Sequence, residues 1–139
     1  MELKRIFILL ITFLLSFNVF AQQTYICIAD ASTGFTFNKT TKNWISTNFN
    51  VQNQKFILSQ KNELWHWKQV GVSESGTIEC GEFNTAGFLH CSAFGQDLSF
   101  NKSNLRFTLS ERVGYVIGER LGVEGSLTPY MTIGKCSPL

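Results

Sequence analysis

The chain has 139 residues, with 12 lysines and arginines against 10 aspartates and glutamates, a formal net charge of +2. So small an excess excludes a polyanion-binding protein, which needs a clustered basic face. A hydrophobic content of 44% excludes a disordered chain.

The first 21 residues read as a secretion signal. Lys4 and Arg5 form a short positive start, Ile6 to Phe17 is a twelve-residue apolar run, and Val19 and Ala21 occupy the −3 and −1 positions of a small-residue cleavage site. A membrane span needs about 20 apolar residues, so the run is too short to anchor the chain stably. Residues 22–139 then form one β-rich domain with one core. Its expected place is the periplasm or the exterior, and the short Lys-Arg start reads as bacterial.

After the signal, short β-favouring runs alternate with turns. Tyr25 to Ala29 is a first strand, and Asp30 to Gly34 is turn-rich. Gly34 to Asn38 alternates, with Phe35 and Phe37 on one face, and Trp44 and Ile45 begin the returning strand of a hairpin. Lys55 to Gln60 and Glu63 to Val70 flank the polar pair Lys61-Asn62, a second hairpin. Gly71 to Gly76 is a loop, and Thr77 to Cys80 and Gly87 to Ser92 are candidate paired strands. Asp97 to Asn101 and Leu105 to Ser110 give the clearest period of two, with Leu98, Phe100, Leu105, Phe107 and Leu109 on one face. Val113 to Ile117 is a further candidate strand, Glu119 to Ser126 a polar loop, and Tyr130 to Ile133 the last strand. Short helices are allowed only near Glu82 to Ala86 or Ser110 to Val113. The pattern predicts an all-β fold, a small antiparallel β-sandwich or β-barrel. Phe-Asn-Lys occurs twice, at Phe37 to Lys39 and Phe100 to Lys102, and both copies are expected at strand ends entering a turn.

The four cysteines, Cys27, Cys80, Cys91 and Cys136, all lie after the signal. An even count in an exported domain points to two disulfides. Three pairings exist. Cys80–Cys91 would clip a hairpin-sized loop and Cys27–Cys136 would tie the first strand to the last, and this pairing is favoured. No two cysteines have the close spacing of a zinc site, so no metal or other cofactor is expected.

Residues that carry chemistry are sparse. His66 and His90 are the two histidines, and no carboxylate or nucleophile is spaced to complete a catalytic set with either. Ser92 stands near His90. No glycine-rich phosphate loop occurs. The aromatics say more. Trp65 and Trp67 form an i, i+2 pair on one strand face, either core or an exposed platform, since Trp and Tyr are enriched at binding hot spots. The candidate binding residues are therefore Trp65, His66 and Trp67, as an exposed recognition strand.

Several stretches resemble an uncharacterised family of short exported proteins of Gram-negative bacteria. They are Tyr25 to Asp30, Gly34 to Phe37, Glu82 to Asn84, Gly87 to Cys91, Leu98 to Asn101, Leu105 to Phe107, Gly114-Tyr115 and the ending TPYMTIGKCS from Thr128 to Ser137. The resemblance covers nearly the whole chain after the signal. It implies compartment and single-domain architecture and supplies no activity or site residues.

The expected function is that of a non-enzymatic binding protein, monomeric, whose partner is another envelope or secreted protein, as for an inhibitor or immunity-like protein. No nucleic acid is expected as partner. The alternatives are a small cell-wall or glycan hydrolase or lyase using His66 or His90 with a carboxylate, and a small-ligand carrier with a hollow barrel.

Overall fold

A computed structural model describes residues 23–71, 76–117 and 127–139. The expected signal, the 119–126 loop and most of the 71–76 loop lie outside these residues.

Nine strands and one helical turn follow in chain order: β1 (Thr24–Asn38), β2 (Asn43–Phe49), β3 (Lys55–Lys61), β4 (Leu64–Gln69), β5 (Ile78–Cys80), β6 (Phe88–Ala93), β7 (Gln96–Asn101), β8 (Arg106–Glu111), α1 (Val113–Ile117) and β9 (Tyr130–Pro138). All pairings are antiparallel. The hydrogen-bonded path runs β5-β4-β3-β1-β9-β8-β7-β6, with β2 added to β1. Neighbours on the path are neighbours in sequence, except where β1 meets β9 and where β1 meets β3, with β2 between those two in the chain. The sheet is therefore a meander that curls until its two ends, β5 and β6, come into contact.

The sheet is a nearly closed barrel, and one of its two disulfides reinforces a ladder while the other ties a seam. Cys27–Cys136 joins directly opposed residues of β1 and β9 within their ladder. Cys80–Cys91 bridges β5 and β6. Those two strands were expected to pair. Among the described residues they face each other without a ladder, because β5 is only three residues long. The disulfide stands in for the missing hydrogen bonds at this seam.

Alternation fills the interior. Tyr25, Cys27 and Ala29 of β1 point inward with Phe56 and Leu58 of β3, Trp65 and Trp67 of β4, Leu89 and Cys91 of β6, Leu98 and Phe100 of β7, and Phe107 and Leu109 of β8. Rings stack in two tiers. Tyr25, Trp65, Phe100 and Phe83 pack at centroid distances of 5.1–5.9 Å, and Phe56, Trp67 and Phe107 at 4.6–5.7 Å. Phe83, under the Lys102 ammonium, packs at the end of the barrel where the Leu139 N–H donates to the Thr24 carbonyl. At the other end the inward side chains shrink to Ala29, Ser32 and Thr132. There the Thr132 hydroxyl donates to Ser32 Oγ at 2.9 Å, satisfying both buried groups.

Turns follow asparagine. Asn38 Oδ1 accepts from the N–H groups of Thr40 and Thr41, Asn101 Oδ1 from Ser103, Asn84 Oδ1 from Ala86 and Phe88, and Asn50 Oδ1 from Gln52. Such Asx turns end strands. Both Phe-Asn-Lys stretches are strand ends entering turns of this kind. Asn62 and Glu63 both have positive φ, as a two-residue hairpin of the tight primed type requires.

Two expected elements are corrected. The turn assigned to Asp30 to Gly34 is part of one continuous strand. β1 passes it with a register shift between Ala29 and Ala31, a bulge that bends the strand and moves the inward positions from odd to even numbers. The strand assigned to Val113 to Ile117 is the helical turn α1, started by the Glu111 carboxylate, which accepts from the Val113 N–H at 2.8 Å. The last strand is also longer than expected and runs on to Pro138.

Candidate functional site

The three sequence-predicted binding residues part company. Trp65 and Trp67 are each 3% exposed and belong to the two interior ring tiers. They are core, not an exposed platform. Closing the sheet into a barrel gives every strand an inner face, and on β4 the inner face is the one with the larger apolar side chains. His66, between them, points outward.

On the outer wall of β3, β4 and β5, His66 lies in a row with Ser59 and Glu79, each directly opposite its neighbour across the ladder. His66 Nε2 stands 3.9 Å from Glu79 Oε2, an ion-pair distance that exceeds a hydrogen bond. His66 Nδ1 is buried without a partner among the described residues. Lys61, Lys68, Gln69 and Thr77 rim an open depression of about 850 Å³ around this row, floored by Ile57 and Val70. His90 sits on the opposite wall. Its Nδ1 is 2.9 Å from Ser99 Oγ, and its ring lies parallel to Phe88. The pair stands on an exposed cross-strand row that continues to Thr108 and brings no carboxylate to the histidine. Asp97, one row away, is committed elsewhere. It accepts from the Ser92 hydroxyl and from the Arg112 guanidinium, and these hold its carboxyl below the ordinary value of 3.8. Among the described residues, no three His, Cys, Asp or Glu side chains gather as metal ligands.

The third tryptophan makes a different site. β9 begins at Tyr130, opposite Gly34 of β1, while β1 runs on to Asn38 paired only with β2. The β1–β2 hairpin thus rises past the barrel rim. At its base Gly34 is obligatory, since a Cβ there would sit 2.1 Å from the Pro129 carbonyl oxygen. Phe37 and Trp44, directly opposed, pack at 5.4 Å, and Tyr115 of α1 meets Trp44 edge-on at 5.6 Å. Phe35 lies on the same hairpin face and is half exposed, while Tyr115 is 62% and Val116 72% exposed. The connections after β4, β6 and β8 leave at this end too. The β6–β7 turn there carries Phe94, 84% exposed and at φ 54°. Phe94 and Gly95 both have positive φ, as a two-residue hairpin of the tight primed type requires, and a bulky residue in the left-handed region is an outlier that a glycine would avoid.

The sequence contained the signal for this site. Phe35 and Phe37 alternate on one face, and Trp44 follows a polar turn. What it did not show is that the hairpin outruns the barrel, because that depends on where β9 begins.

No known protein family, no curated protein and no solved structure matches this chain. Two disulfides are compatible with a non-cytoplasmic protein. Among the described residues no helix is long and apolar enough to cross a membrane.

Proposed function

We propose that this chain is a non-enzymatic binding protein of the periplasm or the exterior, recognising another protein through the aromatic face of its projecting hairpin. The observation that carries the reading is the array Phe37, Trp44 and Tyr115, held by ring contacts on an element the barrel does not need, with Phe37 and Trp44 partly buried and Tyr115 62% exposed. Aromatic anchors of this kind dominate protein interfaces, because they bury large areas with few rotatable bonds. The resemblance to short exported bacterial proteins points to the same compartment. The test is affinity capture from envelope and culture fractions, run with wild type, Trp44→Ala and His66→Ala. The expected result is a bound species that Trp44→Ala loses and His66→Ala keeps. A species that ignores Trp44 overturns the assignment.

The hydrolase or lyase reading is second, favoured by the Ser59, His66 and Glu79 row. A glycan or cell-wall activity abolished by both His66→Ala and Glu79→Gln would install it in place of the first. The carrier reading draws no support from an interior packed with rings.

A further inference from the structure

The N–H of Phe35 reaches the Pro129 carbonyl at 3.0 Å, so it points toward β9 and away from β2. In an antiparallel pair the residues that face the neighbouring strand alternate. Gly34 and Thr36 therefore bond β2 through their opposed partners Thr47 and Ile45. Ser46 and Asn48 turn their N–H and C=O groups outward, to the far edge of β2. Among the described residues no strand pairs with that edge.

Exposed edges are normally blunted by lysine, proline, a bulge or shortness. β2 runs Asn43–Phe49 with no charged residue, no proline and no register shift against β1. The other two ends of the sheet differ from it: β5 is three residues long, and its disulfide ties it to β6. β2 is the one long, uncharged, unprotected edge among the described strands. What fits a row of outward N–H and C=O groups is another extended strand.

We propose that this strand is β2 of a second copy, paired antiparallel about a two-fold axis through Thr47. That register opposes Ser46 to Asn48 of the other copy, twice, so these four residues exchange backbone hydrogen bonds. It opposes Thr47 to itself, and Ile45 to Phe49 twice over. Thr–Thr and aromatic–aliphatic pairs are among the favourable cross-strand combinations, and like charges directly opposite are the unfavourable ones. The axis opposes only Thr47 to its own copy, and neither it nor any other residue of β2 is charged. Ile45 is 47% exposed in the single chain and is covered by this pairing. The turn lysines Lys39 and Lys42 lie at the far ends, away from their counterparts. The Phe37 and Trp44 face lies on the other side of the sheet and stays open. The inference replaces the monomer expected from sequence and is independent of the proposed function.

The experiment is sedimentation of the oxidised protein, purified from its host, over a concentration series. Wild type is expected to show a monomer–dimer equilibrium, with Ser46 and Asn48 amides that exchange slowly only in the dimer. Thr47→Lys and Thr47→Glu are each expected to weaken the dimer by roughly tenfold or more. An equimolar mixture of the two restores it as a heterodimer. Ser46→Pro removes an outward N–H and leaves the β1 ladder intact, so it gives the same loss without a charge. Far-ultraviolet circular dichroism checks that each variant is folded. A wild type that stays monomeric throughout overturns the proposal, as does a dimer indifferent to all three substitutions.

Discussion

Phe94 holds a left-handed backbone that costs a non-glycine residue about 1–2 kcal/mol. The neighbouring Gly95, at φ 83°, bears the same geometry freely. Phe94→Gly is therefore expected to stabilise the domain by about 1 kcal/mol in denaturant unfolding. The converse holds for Trp67, in ring contact with Phe56 and Phe107: Trp67→Ala is expected to cost about 3–5 kcal/mol. Asp97 sets a pH effect. The Ser92 hydroxyl, and after it the Arg112 guanidinium, lower its carboxyl in the folded state. Its contribution is present above the unfolded value of 3.8 and is lost as pH falls through the lower, folded one. Melting temperatures of Asp97→Asn measured from neutral to acid pH should show a flatter acid limb than wild type. At this scale the sequence states that Trp65 and Trp67 share a face. It does not state which face is inside, because Trp65 and Trp67 on one face and Leu64 and His66 on the other each offer apolar surface, and the barrel's curvature decides between them.

Among the elements, the seam between β5 and β6 is held by a disulfide in place of a ladder. Removing Cys80–Cys91 is expected to cost about 3 kcal/mol, and Cys27–Cys136 about 5, from the loops of 11 and 109 residues that each closes. The two losses should differ in place as well as size. Amide exchange in Cys80→Ala/Cys91→Ala should quicken in β5 and β6 while β1 and β9 stay protected. Uniform quickening would mean that the seam has support beyond its sulfurs. Most strands were legible as period-two runs, most clearly β7 and β8, whose inward sets Leu98, Phe100, Phe107 and Leu109 are buried as the alternation requires. The bulge in β1 was not legible, since Asp30 and Gly34 spell a turn locally and only pairing with β9 on one side and, from Ser32, with β2 on the other keeps the chain extended. α1 was missed for a related reason: its Val-rich run favours strand, and the Glu111 cap overrides it.

For the whole molecule, the pairing of Cys27 with Cys136 and Cys80 with Cys91 makes one ring from a meander and fills it with aromatic side chains. Such an interior does no recognition, which leaves the outer surface and the open end. There the projecting hairpin, α1 and the β6–β7 turn gather the exposed Phe35, Tyr115 and Phe94, while the opposite end is plugged by Phe83. The sequence could supply the inventory for this division but not its placement, which follows from strand lengths and from where β9 begins. The most direct test is amide exchange of the captured complex against the free protein. The account predicts new protection over Phe35 to Trp44, around Tyr115 and at Phe94. Protection confined to the outer wall of β3, β4 and β5 around His66 would contradict it.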